Sequence, residues 1–126
     1  MVAGIGCRSG ASAEAIAQVL AAALERCGLE RAHIDALATD AAKGNEAGIL
    51  AAAATLALPL IFVCAAQMAA AADDVITTSE RVIALKGVPS VAETAALAAA
   101  GREARLLGPR VANAAATCAI ARGEGP

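Results

Sequence analysis

The chain contains no tryptophan and no tyrosine, and a single phenylalanine among its 126 residues. It therefore offers no aromatic platform on which nucleic-acid bases stack. An excess of positive charge is also missing, because the formal net charge is −2. Without a basic field to meet a phosphate backbone, nucleic acid is excluded as a partner. Only one histidine occurs, His33, and the four cysteines (Cys7, Cys27, Cys64 and Cys118) form no CxxC pair. No zinc pattern and no dense disulfide framework follows from such spacing, and no metal is expected. The N-terminus lacks the basic n-region of a signal peptide.

Charge is sparse, at 17% of residues against a hydrophobic share of 59%, which raises the question of a membrane. Residues 47–72 carry no charge and are numerous enough to cross a bilayer. Alanine, however, inserts weakly, and Pro59 divides the run into two pieces of different character. Residues 47–57 favour a helix, whereas Leu60-Ile61-Phe62-Val63 reads as a buried strand at the centre of a sheet covered on both faces. The expectation is a soluble, cytoplasmic protein with no membrane segment. Its length suits one domain, assigned to residues 1–121, with residues 122–126 as a frayed tail.

What is present begins with the first turn, Val2-Ala3-Gly4-Ile5-Gly6-Cys7-Arg8-Ser9-Gly10. A short apolar run enters a glycine-rich stretch, Ser12 stands where a helix N-cap belongs, and Ile16, Val19, Leu20, Ala23, Leu24 and Cys27 recur at helical spacing. A strand, a glycine-rich turn and a helix N-terminus can together form an anion site, to which Arg8 adds a fork of donors. The same residues also serve as an ordinary tight β-to-α connection. Cys7 stands apart from the other thiols, because a helix N-terminus and Arg8 both favour its thiolate. Cys27, Cys64 and Cys118 read as small core residues of a reduced protein.

The first helix should stop at Gly28, and residues 33–39 read as a second strand with His33 at its far end from the first turn. A second polar cluster follows, Asp40-Ala41-Ala42-Lys43-Gly44-Asn45-Glu46. Parallel strands would bring it to the same rim as the first turn. There Lys43 can pair with ligand carboxylates, while Asp40 or Glu46 can move a proton or orient Lys43. Helix capping and a favourable dipole explain these acids equally well. Further on, residues 65–72 suggest a helix closed by Asp73-Asp74, and Ser79 caps a short helix over residues 80–86. Ser90-Val91-Ala92-Glu93 has the form of a capping box opening a helix that ends at Gly101. Residues 103–110 and 114–121 read as two strands joined by Val111-Ala112-Asn113, too close for a crossover and so antiparallel if paired.

The familiar catalytic signatures are missing. The glycines miss the dinucleotide spacing by one residue, and neither a Walker lysine nor a G-x-S-x-G elbow occurs. With its histidine expected far from the rim, the chain offers no ordinary Ser-His or Cys-His dyad. No cofactor is expected. The residues alone describe an α/β domain whose polar rim suits an anionic small molecule.

Several segments together resemble the cobalamin-biosynthesis family that includes CobE and the C-terminal domain of CbiG. The residues that carry the resemblance are Gly4-Ile5-Gly6-Cys7-Arg8, then Asp40…Lys43…Glu46, then the run from Gly87 to Leu97, and Ala116-Thr117-Cys118-Ala119-Ile120-Ala121. Members often carry a second basic residue where this chain has Ser9, and a lysine where it has Arg110. The resemblance implies a three-layer α/β/α fold with a mostly parallel sheet and an antiparallel C-terminal strand. It also implies a role in making the corrin ring. In CbiG the two-domain protein opens the lactone of cobalt-precorrin-5A and releases acetaldehyde. The present chain is too short for the N-terminal part and looks like the stand-alone form.

That likeness implies a protein that binds or carries a precorrin or corrinoid intermediate through its carboxylate side chains. The expected ligand-binding set is Gly4, Gly6, Cys7, Arg8, Asp40, Lys43, Glu46, Ser90 and Glu93. Two other readings stand beside it. One is a hydrolase-like enzyme using Cys7, Lys43 or Glu46. The other is a non-catalytic partner of other corrin-pathway enzymes, its alanine-rich helix faces open to self-association as a homo-oligomer.

Overall fold

The first strand, β1 (Val2–Cys7), lies in the interior of a sheet with six strands among the described residues. In this computed structural model residues 1–8, 10–43, 46–78, 91–101, 103–108 and 110–123 are described, with side chains at all of them except 43 and 72–78. On one side of β1 lie β2 (Ala36–Asp40) and then β3 (Leu60–Val63), both parallel to it. On the other side β6 (Ala116–Arg122) runs antiparallel, from Val2 opposite Ala121 to Cys7 opposite Ala116. Two short strands, β4 (Arg105–Leu106) and β5 (Val111–Ala112), pair antiparallel with the far edge of β6. Among the described strands, β6 therefore alone runs against the rest.

Helices cover both faces and complete the three layers. On one face, α1 (Ala13–Cys27) and α2 (Ala47–Leu56) pack Ile16, Val19, Leu20, Ile49 and Ala52 against Ala3, Ile5, Leu37, Cys118 and Ile120. The opposite face carries α3 (Ala65–Thr78) and α4 (Val91–Ala100), whose Ala95, Ala96 and Ala99 meet Val2, Ala38, Val63 and Ala121. Alternation along β1 sorts these cores, with Ala3 and Ile5 pointing one way and Val2 the other. The caps of α1 are those the sequence implies: the Ser12 hydroxyl accepts from the Ala15 N–H, and Gly28 closes the helix in the left-handed region.

The second face depends on small residues. A Cβ added at Gly4 would lie 2.0 Å from the Ala92 carbonyl oxygen and 2.7 Å from the Ala96 nitrogen. Backbone meets backbone there, so α4 sits directly on β1. Its first turn reaches Gly6, where an added Cβ would be 3.5 Å from the Val91 Cβ.

The structure corrects several local expectations. Among the described strands β3 stands at the edge of the sheet, not at its centre, with Phe62 45% exposed and only Val63 of its four residues buried. An unbroken apolar run is common to central strands and to edges flanked by helices, so the sequence pattern did not separate them. The second strand starts at Ala36, because His33 belongs to a 3-10 turn where its Nδ1 accepts from the Glu30 N–H. Neither Gly nor Pro stands at Asp73-Asp74, and α3 continues through to Thr78. The expected strand over residues 103–110 is reduced to Arg105–Leu106, since Glu103 takes a left-handed φ of 55°. Val111 and Ala112, expected as a connection, form β5. Arg122, expected in the tail, pairs with Arg105. Cys64 is exposed, whereas Cys118 is buried and Cys27 packs beside the core. The expected helix over residues 80–86 and the Ser90 cap lie outside the described residues.

Substituting Gly4→Ala should therefore lower the unfolding free energy by about 1–3 kcal/mol, measured by urea denaturation, because the new methyl meets helix backbone that cannot step aside. Gly6→Ala should cost less. Its nearest neighbour is the Thr117 hydroxyl, 2.9 Å from the added Cβ, which can rotate away.

Candidate functional site

At the C-terminal end of β1 the chain turns towards α1, while β6 begins on the other side. In open α/β sheets the crevice where neighbouring connections diverge is the usual ligand position. A cleft of about 360 Å3 opens there, lined by Gly6, Cys7, Arg8, Val91, Asn113, Thr117 and residues 114–116. Three of the expected residues, Gly6, Cys7 and Arg8, thus share one concave surface with the first residue of α4.

Each wall has a local cause. The Arg8 N–H donates to the Ala115 carbonyl at 2.9 Å, carrying the β1–β6 ladder one residue past Cys7. Backbone pairing therefore fixes Arg8 at the mouth, while its side chain is exposed. Among the described residues no carboxylate pairs with its guanidinium. Cys7 is half-buried in the wall. Across from it, the Thr117 hydroxyl donates to the Gly6 carbonyl at 3.3 Å.

Asn113 holds the remaining side, and its contribution was not foreseen from sequence. Its Oδ1 accepts from the Ala115 and Ala116 N–H groups at 2.9 and 2.8 Å, and its Nδ2 donates to the Ala15 carbonyl at 2.9 Å. One amide thus ties the β5–β6 turn to the first turn of α1. Asparagine inside a short polar connection was the available signal, since such side chains commonly bond the backbone two residues on.

The second polar cluster reaches the same rim. The Glu46 carboxylate accepts from the Gly10 N–H at 3.2 Å, across 36 residues of sequence. Beside it, Gly48 brings α2 against the first turn, where an added Cβ would be 1.9 Å from the Ala11 carbonyl oxygen. Asp40 is occupied locally, accepting from the Ala42 N–H at 2.9 Å. Lys43 ends the 3-10 turn Ala41–Lys43, and its side chain lies outside what is described. Gly4 lies beneath α4 and serves packing. Glu93 is 4% exposed and pairs with Arg110 at 3.4 Å. Ser90 is outside the described residues.

His33 sits just before β2, at the end of the sheet opposite the cleft, as expected for a structural residue. Among the described residues no cluster of three or more His, Cys, Asp or Glu side chains could hold a metal. No helix among them is long and apolar enough to cross a membrane. Burial raises the Cys118 thiol from its ordinary 9.0 to about 12, and the neighbouring Cys27 adds a smaller push in the same direction.

Comparison with known proteins gives a consistent picture. The family model described as cobalamin synthesis G C-terminus matches residues 1–121. Protein CobE of Sinorhizobium sp is 38% identical over 121 residues, covering 96% of this chain and 79% of that protein. The crystal structure of cobalamin biosynthesis protein chiG from Agrobacterium tumefaciens superposes with a TM-score of 0.82 at 43% identity, covering 98% of both chains. The structure of CobE superposes with a TM-score of 0.80 at 36% identity, covering 95% of this chain and 90% of that one.

Two measurements test the site's construction. Asn113→Ala removes three hydrogen bonds and should lower stability by about 1–3 kcal/mol in urea denaturation, loosening the Arg8 side of the cleft. The Cys118 pKa is raised by folding, so its contribution to stability is complete below about pH 9 and is lost as pH rises towards 12. Thermal unfolding across that window should fall less steeply in Cys118→Ala than in the parent chain.

Proposed function

This chain belongs to the cobalamin synthesis G C-terminus family, and from that membership we propose that it binds a precorrin or corrinoid intermediate at the cleft beside Arg8. The observation that carries the reading is the meeting of an exposed guanidinium, a half-buried thiol and the first residue of α4 at one crevice. Precorrins are large, partly apolar macrocycles fringed with acetate and propionate carboxylates. Arg8 provides the fork that pairs with a carboxylate in bidentate fashion. Lys43 belongs to the turn that follows β2, and we assign it to the binding set as a second cation for a ligand carboxylate.

The cleft volume constrains the pose. A space of about 360 Å3 is at the small end for a ligand pocket. It admits an edge of the macrocycle with one or two side-chain carboxylates and leaves the rest of the ring outside. Such a seat suits holding and handing over a bulky intermediate. Binding is non-covalent, and Cys7 lines the seat without forming a bond to the ligand.

Absorbance titration with purified precorrins and hydrogenobyrinic-type corrinoids tests this directly, because the protein has no Trp or Tyr absorbance to interfere. The expected outcome is a saturable spectral shift with unchanged ligand mass. Arg8→Ala and Lys43→Ala should each weaken binding by roughly ten-fold or more, as loss of a charge-assisted hydrogen bond implies. A product of new mass would assign the site to hydrolase-like chemistry instead. Absence of any shift would overturn the binding reading and favour a role as a partner of other corrin-pathway enzymes.

A further inference from the structure

We propose that the opposite end of the sheet carries a second ligand site, a phosphate-class oxyanion site held by Arg105 and Arg122. The two arginines face each other directly in the β4–β6 ladder, while their neighbours Leu106 and Ala121 form the next pair. Directly opposed residues in an antiparallel ladder bring their Cβ atoms to about 4.5–5.5 Å, and like charges placed so repel. Such a pair is relieved by an anion lying between the two forks.

Among the described residues no ion pair supplies that relief, although Glu103 lines the same cleft. Both arginines are exposed, and among the described residues neither guanidinium donates a hydrogen bond or pairs with a carboxylate. A cleft of about 350 Å3 opens over them, lined by Glu103, Arg105, Arg122 and Gly123. Its walls are constrained by the backbone. Gly123 passes so close to the end of α4 that an added Cβ would be 2.4 Å from the Ala100 carbonyl oxygen, and Glu103 holds a φ of 55°.

The lining also selects among anions. Two planar forks give adjacent N–H donors for several oxygens, which suits a doubly charged group better than chloride. Glu103 adds an acceptor that repels a fully deprotonated oxyanion and accepts a hydrogen bond from one carrying a proton. Hydrogen phosphate, a dianion that carries a proton, meets both conditions; a protonated phosphate monoester offers the proton with a single charge, and sulfate has no proton to offer. This site lies at the far end of β6 from the Arg8 cleft, and its existence does not depend on the corrin reading.

Titration of the full chain with inorganic phosphate, followed by the arginine Nε–Hε signals in 1H–15N NMR, tests the proposal. The Arg105 and Arg122 signals should move saturably at millimolar phosphate, with sulfate at least several-fold weaker at matched ionic strength. Arg105→Gln and Arg122→Gln should each weaken the response ten-fold or more, while Arg8→Gln should leave it unchanged. Glycerol 2-phosphate binding as tightly as inorganic phosphate would assign the site to phosphate monoesters, and weaker binding would assign it to the free ion. Shifts that sodium chloride reproduces, that sulfate matches, or that survive both arginine substitutions would overturn it.

Discussion

The contact between Gly4 and the Ala92 carbonyl sets the geometry of one whole face of this molecule. A helix normally stands off a sheet by the thickness of its side chains. Here a glycine strand and an alanine helix remove that layer, and Ala92, Ala95 and Ala96 are fully buried without a large side chain between them. The dispersion gained by close backbone packing replaces what bulky residues would otherwise contribute. It also explains how a chain with one phenylalanine forms two cores: volume is saved by approach, not filled by aromatic rings.

Close approach on that face has a consequence at the rim. Because α4 lies against β1, its first residue arrives beside Gly6 and Cys7, and a helix N-terminus joins the cleft. The antiparallel β6 adds the other wall, since its N-terminal end coincides with the C-terminal end of β1. The crevice is thus assembled from three distant stretches of chain, residues 6–8, 91 and 113–117. The backbone hydrogen bond from Arg8 to Ala115 holds two of them together, and the Asn113 side chain braces the turn within one of these.

Features governed by neighbours in sequence were legible before the structure. The Ser12 cap, the Gly28 stop, the glycine turn and the helix through residues 91–100 follow from local chemistry, and the Glu46–Gly10 bond bears out the shared rim. Position in the sheet was less visible, because Leu60-Ile61-Phe62-Val63 carries the same apolar signature at an edge as at a centre. The exposure of Cys64 has the same origin, as it stands between that strand and α3. Asn113 was read only as part of a connection. Its role depends on Ala15, almost a hundred residues earlier, and no local pattern encodes that meeting.

The distribution of charge around the cleft follows from how its acids are occupied. Free carboxylates at the rim would repel the proposed carboxylate-bearing ligand. Glu93 is nearly buried and pairs with Arg110. Asp40 accepts from the backbone of its own turn, and Glu46 braces the first turn through Gly10. Each of these acids thus has a partner inside the protein, while the Arg8 guanidinium faces solvent at the mouth. Asp40 and Glu46 thus steady the turns that carry them, and Arg8 is the cation that the lining of the cleft presents to solvent.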